Sequence, residues 1–159
     1  MSPIGTRPIL ATLLVALLVL SASYVYSRPG SVLGPLPTTF RVAGMTYHFT
    51  YTAADESQRE AGLMNKKITD STFMLFAWPA PGLYQFYMYN TNSSLDIIWI
   101  DATGGTGTVV YVYRGAQPCF EILTCPRFTP TSQANYVIEA KAGFAEANGI
   151  TEGTQVQFQ

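Results

Sequence analysis

The chain has 159 residues, of which 48% are hydrophobic and only 12% are charged. This length holds one ordinary domain, and a composition so apolar is not that of a disordered chain. Nine Lys and Arg residues nearly balance ten Asp and Glu residues, for a net charge of -1. Nucleic-acid binding requires a clustered basic surface, so this balance excludes that class of partner. One His and two Cys residues are too few for an ordinary zinc site, and we expect neither a metal nor a cofactor.

The N-terminal segment, residues 1–26, is predicted to meet a membrane. Residues 9–20 carry no charge, and their apolar character continues to residue 26. About eighteen helical residues rise roughly 27 Å, close to the hydrocarbon thickness of a bilayer. Two interpretations remain open: an uncleaved single-pass anchor in the cell membrane through residues 9–26, or a signal peptide cleaved near residues 21–23, with a secreted product. The continuing apolar run favours the anchor, and both interpretations place the rest of the chain outside the cytoplasm.

A stalk is predicted over residues 27–38. Its twelve residues include three prolines and two glycines, which exclude a regular helix or strand. The remaining chain, residues 39–159, is therefore predicted to form one extracytoplasmic β-rich domain.

Short strands dominate the prediction for this domain. Residues 40–42 and 45–51 predict a hairpin, because apolar and polar residues alternate in the second run. Further strands are predicted at residues 73–78 (ended by Pro79 and Pro81), 84–89, 95–100, 106–113, 135–141 and 154–158. Such closely spaced strands predict a β-dominated α+β fold, a curled sheet or partial barrel with one main helix.

The main helix is predicted over residues 52–61, which are rich in helix formers. Thr52 followed by Asp55 resembles a capping box, and Gly62 is placed to end the helix. A single helical turn is predicted at residues 144–148.

Six short motifs follow one another along the domain. They are REAGLM at 59–64, FMLF at 73–76, FYMYNT at 86–91, LDIIWID at 95–101, YVIEAKAG at 136–143 and GITEG at 149–153. In order and spacing they resemble the uncharacterised domain of unknown function 192 family, over roughly residues 46–158. The resemblance implies a compact β-rich domain and supplies no catalytic roles. The Cys119/Cys125 pair and the AGFAE run at 142–146 look like those of archaeal, extracytoplasmic members.

Covalent modifications are predicted at three residues. Cys119 and Cys125 are the only cysteines, and outside the cytoplasm such a pair most simply forms a disulfide. A redox-active pair or two free thiols are the alternatives. Asn92 begins the only N-glycosylation sequon, and an ordinary turn is the alternative there.

Two acidic residues interrupt apolar strands. Asp96 is expected either to lie on the solvent face or to be buried with hydrogen-bond partners, because a buried carboxylate needs them. Asn90, Thr91 or nearby backbone would supply the partners, and a ligand-binding or catalytic carboxylate is the alternative. Glu139 is expected to face outward or to be paired, with half of an acid/base pair as the alternative.

Tyrosines supply the other candidate binding groups. Alternation in residues 84–89 places Tyr84 and Phe86 on one face and Tyr87 and Tyr89 on the other. The second face is either a partly covered sheet surface or a site for a sugar or peptide. The candidate binding residues are Tyr87, Tyr89, Asn90, Asp96 and Glu139.

The expected function is that of a membrane-anchored, non-enzymatic module outside the membrane. It would bind a cell-surface protein or glycan, or serve a structural role in the envelope. Low charge, abundant tyrosine and the absence of a recognisable catalytic arrangement favour this interpretation. The alternative is a carboxylate-based hydrolase or lyase acting on envelope polysaccharide, which requires Asp96 and Glu139 to meet in one cleft.

Overall fold

The structure, a computed structural model, describes residues 33–159. The predicted anchor at residues 1–26, and residues 27–32 of the predicted stalk, lie outside this range. Within the described range, no helix combines the length and the apolar character needed to cross a membrane.

Eight strands and two short helices make up the described chain. They are β1 (Thr39–Val42), β2 (Met45–His48), β3 (Tyr51–Ala53), α1 (Glu56–Ala61), β4 (Phe73–Gly82), β5 (Leu95–Thr103), β6 (Thr106–Ala116), β7 (Ala134–Lys141), α2 (Phe144–Ala147) and β8 (Gln155–Phe158). All the strands join one sheet in the order β2-β1-β8-β6-β5-β7-β4-β3. The two edge strands, β2 and β3, are joined by only two residues, so the sheet curls into a half-barrel. The β-dominated curled sheet is therefore confirmed.

Apolar side chains cover both faces of the central strands β4, β5 and β7. One face packs Leu75, Ile98 and Ile138 into the first core cluster. The opposite face packs Phe76 and Trp99 into the second. Because side chains alternate between the faces of a strand, a strand covered on both faces has a continuous apolar sequence.

Helix α1 begins later than predicted. Asp55 is its N-cap: its carboxylate accepts a hydrogen bond from the Gln58 N–H (2.8 Å), and the Gln58 side chain accepts one from the Asp55 N–H (3.4 Å). Thr52 is not the cap, because residues 51–53 form β3, which pairs in parallel with β4. Gly62 ends the helix as predicted, with its N–H donating to the carbonyl of Gln58.

Two strand predictions are wrong. β4 continues to Gly82 through both prolines, because its register with β7 shifts between Ala77 and Gly82 and leaves this stretch bulged. Residues 84–89 form no strand; isolated bridges Phe86–Phe128 and Tyr89–Cys119 are their only sheet-like pairings in the described chain. The second arm of the predicted hairpin, residues 45–51, ends early: β2 stops at His48, and Tyr51 begins β3. The remaining predicted strands and the helical turn are confirmed within one or two residues at their ends, except that β5 and β6 each extend three residues further.

Candidate functional site

A cavity of about 230 Å³ opens on the face of the sheet that carries the second core cluster. Three parts of the chain surround it: α1 with the loop that follows, β4, and residues 84–91, here called the covering segment. The lining side chains used below are Glu56, Arg59, Glu60, Leu63, Met64, Phe76, Trp78, Phe86, Tyr87, Thr91 and Glu139. We call this space the Glu139 cavity.

Glu139 projects into the cavity from the middle of the sheet. It lies on β7, in register with Met74 of β4 on one side and Ile97 of β5 on the other. Both neighbours belong to the second core cluster, so Glu139 shares their face. Only 4% of the residue is exposed. The expectation that Glu139 faces outward is therefore wrong.

The carboxyl group of Glu139 has no partner among residues 33–159. The salt bridge in that range joins Lys141 to Asp70 and does not involve it. No fully enclosed side-chain oxygen or nitrogen in the described chain lacks a hydrogen bond, so the Glu139 oxygens meet the cavity space. Desolvation by burial raises the pKa of this carboxyl from 4.5 to about 8. Glu139 is thus a largely protonated acid at neutral pH, able both to donate and to accept a hydrogen bond.

The mouth of the cavity carries three charged residues of α1. Glu56 and Glu60 are exposed, one helical turn apart. The Arg59 guanidinium is already engaged, since its Nη1 donates to the carbonyls of Ala54 (2.6 Å) and Ala77 (2.9 Å). Two carboxylates and one occupied guanidinium therefore surround the opening.

Aromatic rings form the apolar walls. Phe86 packs edge-on against Phe76, with ring centres 4.8 Å apart, and against Trp78 at 6.2 Å. Trp78 stacks on Tyr84 at 3.9 Å. Trp99 lies 5.5 Å from Phe86, and its indole N–H donates to the carbonyl of Tyr84 (2.9 Å). These contacts hold the walls in place without a ligand.

Backbone hydrogen bonds tie the covering segment to its neighbours. The Asn90 N–H donates to the carbonyl of Cys119 (2.9 Å), and the Asn90 carbonyl accepts from the Asn65 N–H (2.8 Å). The Cys119 N–H donates to the carbonyl of Met88 (3.1 Å). Cys119 is bonded to Cys125, with the two Cα atoms 5.6 Å apart, so the predicted disulfide is confirmed. The disulfide loop thus holds the segment that closes the cavity.

Asp96 lies on the opposite face of the sheet. Its carboxylate accepts three backbone N–H groups, from Gly115 (2.9 Å), Gly143 (3.0 Å) and Ala145 (2.8 Å). The two glycines have φ values of 66° and 96°, which favour a residue without Cβ. Asp96 thereby closes a bulge in β6 and caps the start of α2. These three hydrogen bonds support a structural role for Asp96, through distant backbone groups rather than through Asn90 or Thr91.

Only two of the five candidate binding residues line the cavity, Tyr87 and Glu139. The guanidinium of Arg127 lies 4.4 Å from the ring centre of Tyr87. Tyr89 forms the bridge to Cys119 and does not line the cavity.

The remaining candidates, Asn90 and Asp96, make structural contacts outside the cavity lining. Asn90 joins the covering segment to the disulfide loop, and Asp96 makes no hydrogen bond to Asn90 or Thr91. Asp96 pairs with Ala140, the residue after Glu139, so the two carboxyl groups point to opposite faces and do not form an acid/base pair. Asn92 is exposed.

Sequence reasoning missed Arg59, Leu63 and Met64 as cavity residues. All three lie in the REAGLM motif, which spans the end of α1 and was the available signal. The motif did not indicate the contacts of Arg59, because its partners are the carbonyls of residues 54 and 77. Within residues 33–159, no three His, Cys, Asp or Glu side chains are close enough to hold a metal ion.

The fold and the cavity define a class of protein: a curled half-barrel domain with a buried glutamic acid in an aromatic cavity on one face of the sheet. The chain belongs to the domain of unknown function 192 family, described as "Uncharacterized ACR", whose model matches residues 40–158. No curated protein matches the chain.

Solved structures that share this fold include the following two. One is described as a "putative transcription regulator" from Sinorhizobium meliloti 1021; it is 26% identical, with a TM-score of 0.64, and the match covers 79% of this chain and 98% of that one. The other is a protein of unknown function from Novosphingobium aromaticivorans DSM 12444, also 26% identical, with a TM-score of 0.63 over 82% of this chain and 89% of that one.

Proposed function

We propose that this chain is a non-enzymatic binding module, held outside the cytoplasm by its N-terminal segment, and that its ligand occupies the Glu139 cavity. One observation carries the proposal: a carboxyl group that is 4% exposed, without a partner among residues 33–159, faces an open space walled by aromatic rings. Ligand sites typically combine apolar walls with a few polar groups that fix orientation.

The size of the cavity limits the ligand. At about 230 Å³ it is smaller than the roughly 300–1,000 Å³ of ordinary small-molecule sites. A small molecule, or one side chain of a cell-surface partner, fits this volume. Since the walls are already packed, little conformational entropy is lost on binding.

Neither alternative activity is supported by the geometry. The hydrolase hypothesis required Asp96 and Glu139 in one cleft, and the two lie on opposite faces of the sheet. A role in transcription, as described for one structural neighbour, would require a basic surface, and the net charge of the chain is -1.

The proposed location is supported by two features. Disulfides persist in oxidising compartments, and Cys119 and Cys125 are bonded. Residues 9–26 are apolar enough to anchor the chain. We further propose an archaeal-type member of the family with Asn92 as a glycosylation site. N-terminal sequencing of the mature protein separates an anchor, which keeps residues 1–26, from a cleaved signal peptide.

Binding is tested by filling the cavity. Met64 is half-buried and lines the cavity, whereas Met45 is 59% exposed on β2, outside the cavity lining. A panel of small amines, alcohols, acids and sugars is screened against the full chain by ligand-observed NMR. We expect at least one compound whose signal is lost with Met64→Trp and kept with Met45→Trp. If no compound distinguishes the two variants, the proposal is wrong.

A further inference from the structure

We infer that the Glu139 cavity selects a primary ammonium group on a short unbranched chain, such as an alkylamine or a lysine side chain. The inference rests on the proposed function and adds the charge and shape of the ligand to it.

The first argument is the sign of the charges that face the cavity. The titratable and charged residues in its lining are Glu56, Arg59, Glu60, Tyr87 and Glu139. Two of these, Glu56 and Glu60, are carboxylates at the mouth, and the third acid, Glu139, is largely protonated until a cation binds. The one cationic group of the lining, on Arg59, is held by two backbone carbonyls. An entering cation is attracted by this arrangement and an entering anion is repelled.

The second argument is the unused capacity of Glu139. An ammonium ion provides three donors, and the carboxyl oxygens accept no hydrogen bond from residues 33–159. In a site of low dielectric, an ammonium–carboxylate contact is far stronger than it is in water. A neutral alcohol could form one hydrogen bond there but would gain none of this attraction.

The third argument is the aromatic wall. Cations bind favourably over the faces of aromatic rings. Two rings of the lining already do this: the Arg59 guanidinium lies 5.2 Å from the Trp78 ring centre, and that of Arg127 lies 4.4 Å from Tyr87. Phe76 and Phe86 are the two lining rings without such a contact. They offer an apolar surface for the alkyl chain beneath the ammonium group.

Binding of a cation also predicts the release of a proton. Glu139 must ionise to form the ion pair, and its pKa in the free protein is about 8. At pH 7 the carboxyl is then about nine-tenths protonated, so close to one proton leaves per ligand bound. A neutral ligand that keeps Glu139 protonated releases none.

Isothermal titration calorimetry of the full chain tests the inference with four probes. They are n-butylamine, 1-butanol, butyrate and Nα-acetyl-lysine methylamide. We expect n-butylamine to bind at least tenfold more tightly than 1-butanol or butyrate. Titration in buffers of different ionisation enthalpy measures the proton released. The lysine derivative shows whether the site also accepts an ammonium group carried by a peptide.

Two variants identify the residue responsible. Glu139→Gln keeps the shape of the side chain, and we expect it to abolish both the preference for the amine and the proton release. Glu121→Gln makes the same change at an exposed position in the disulfide loop, outside the cavity lining, and is expected to behave as the wild type.

The outcomes separate the two proposals. If 1-butanol or butyrate binds as tightly as n-butylamine, in a manner blocked by Met64→Trp, the ligand is not a cation but the cavity still binds. If no probe binds, the cationic inference is wrong, and the NMR screen alone decides the proposed function. If n-butylamine binds equally to the wild type and to Glu139→Gln, the ammonium group does not meet Glu139.

Discussion

Replacing Glu139 with Gln is expected to change how the stability of the fold depends on pH. Burial raises the pKa of Glu139 from 4.5 in the unfolded chain to about 8 in the folded protein. A group that binds its proton more tightly when folded adds stability that is complete below the unfolded value and is lost as the pH rises through the folded value. The wild type should therefore lose stability between pH 4.5 and pH 8.

The size of the effect follows from the two pKa values. Each unit of pKa difference corresponds to about 1.4 kcal/mol, so the free energy of unfolding should fall by about 3 kcal/mol between pH 5.5 and pH 8. Gln has nearly the same shape and does not titrate. In Glu139→Gln this loss disappears, and the variant should be more stable than the wild type at pH 8.

Urea unfolding of the full chain at several pH values measures this difference. The free energy of unfolding is obtained by linear extrapolation at each pH. Glu121→Gln is the matched control, because residue 121 is exposed, and its curve should parallel that of the wild type. Parallel curves for the wild type and Glu139→Gln would refute the account of a buried, unpaired carboxyl.

Three further substitutions test the frame around the cavity, all by urea unfolding at pH 7. Asp96→Asn should lower the free energy of unfolding by about 3 kcal/mol or more, because it weakens three charge-assisted hydrogen bonds to backbone N–H groups. The control Asp101→Asn, at an exposed position of β5, should lower it by less than about 0.5 kcal/mol. Equal effects would contradict the structural role of Asp96. Under non-reducing conditions, Cys119→Ser should lower the free energy of unfolding by about 2 kcal/mol. It should also speed amide hydrogen exchange in residues 84–91. Unchanged exchange would show that the disulfide loop does not hold the covering segment. Asp55→Ala should lower the free energy of unfolding through loss of the α1 cap, and an unchanged free energy would contradict the capping role.

Local patterns predicted most strands because their cause is local. The hairpin of β5 and β6 combines two apolar runs with a Gly104–Gly105 turn, and the structure pairs them as expected. The covering segment shows the limit of the method. Its alternation reflects the burial of Phe86 and Met88, yet these side chains pack onto a sheet that the segment itself never joins.

The residues of the candidate site were harder to predict because their surroundings are remote in sequence. The expectation for Glu139 followed from the high cost of burying an unpaired acid. What the sequence does not show is that α1 and the covering segment leave a cavity over this face of β7. Likewise, the backbone donors to Asp96 lie 19 to 49 residues away, so only their existence could be expected.

The most direct test of the account is a titration of the Glu139 carboxyl carbon by ¹³C NMR, in the full chain with and without saturating n-butylamine. The account predicts a pKa of about 8 without the amine. It predicts a lower pKa with the amine, because a bound cation favours the ionised carboxylate. A pKa near the ordinary 4.5 in the free protein, or a value that the amine leaves unchanged, would contradict a cation-binding site built on Glu139.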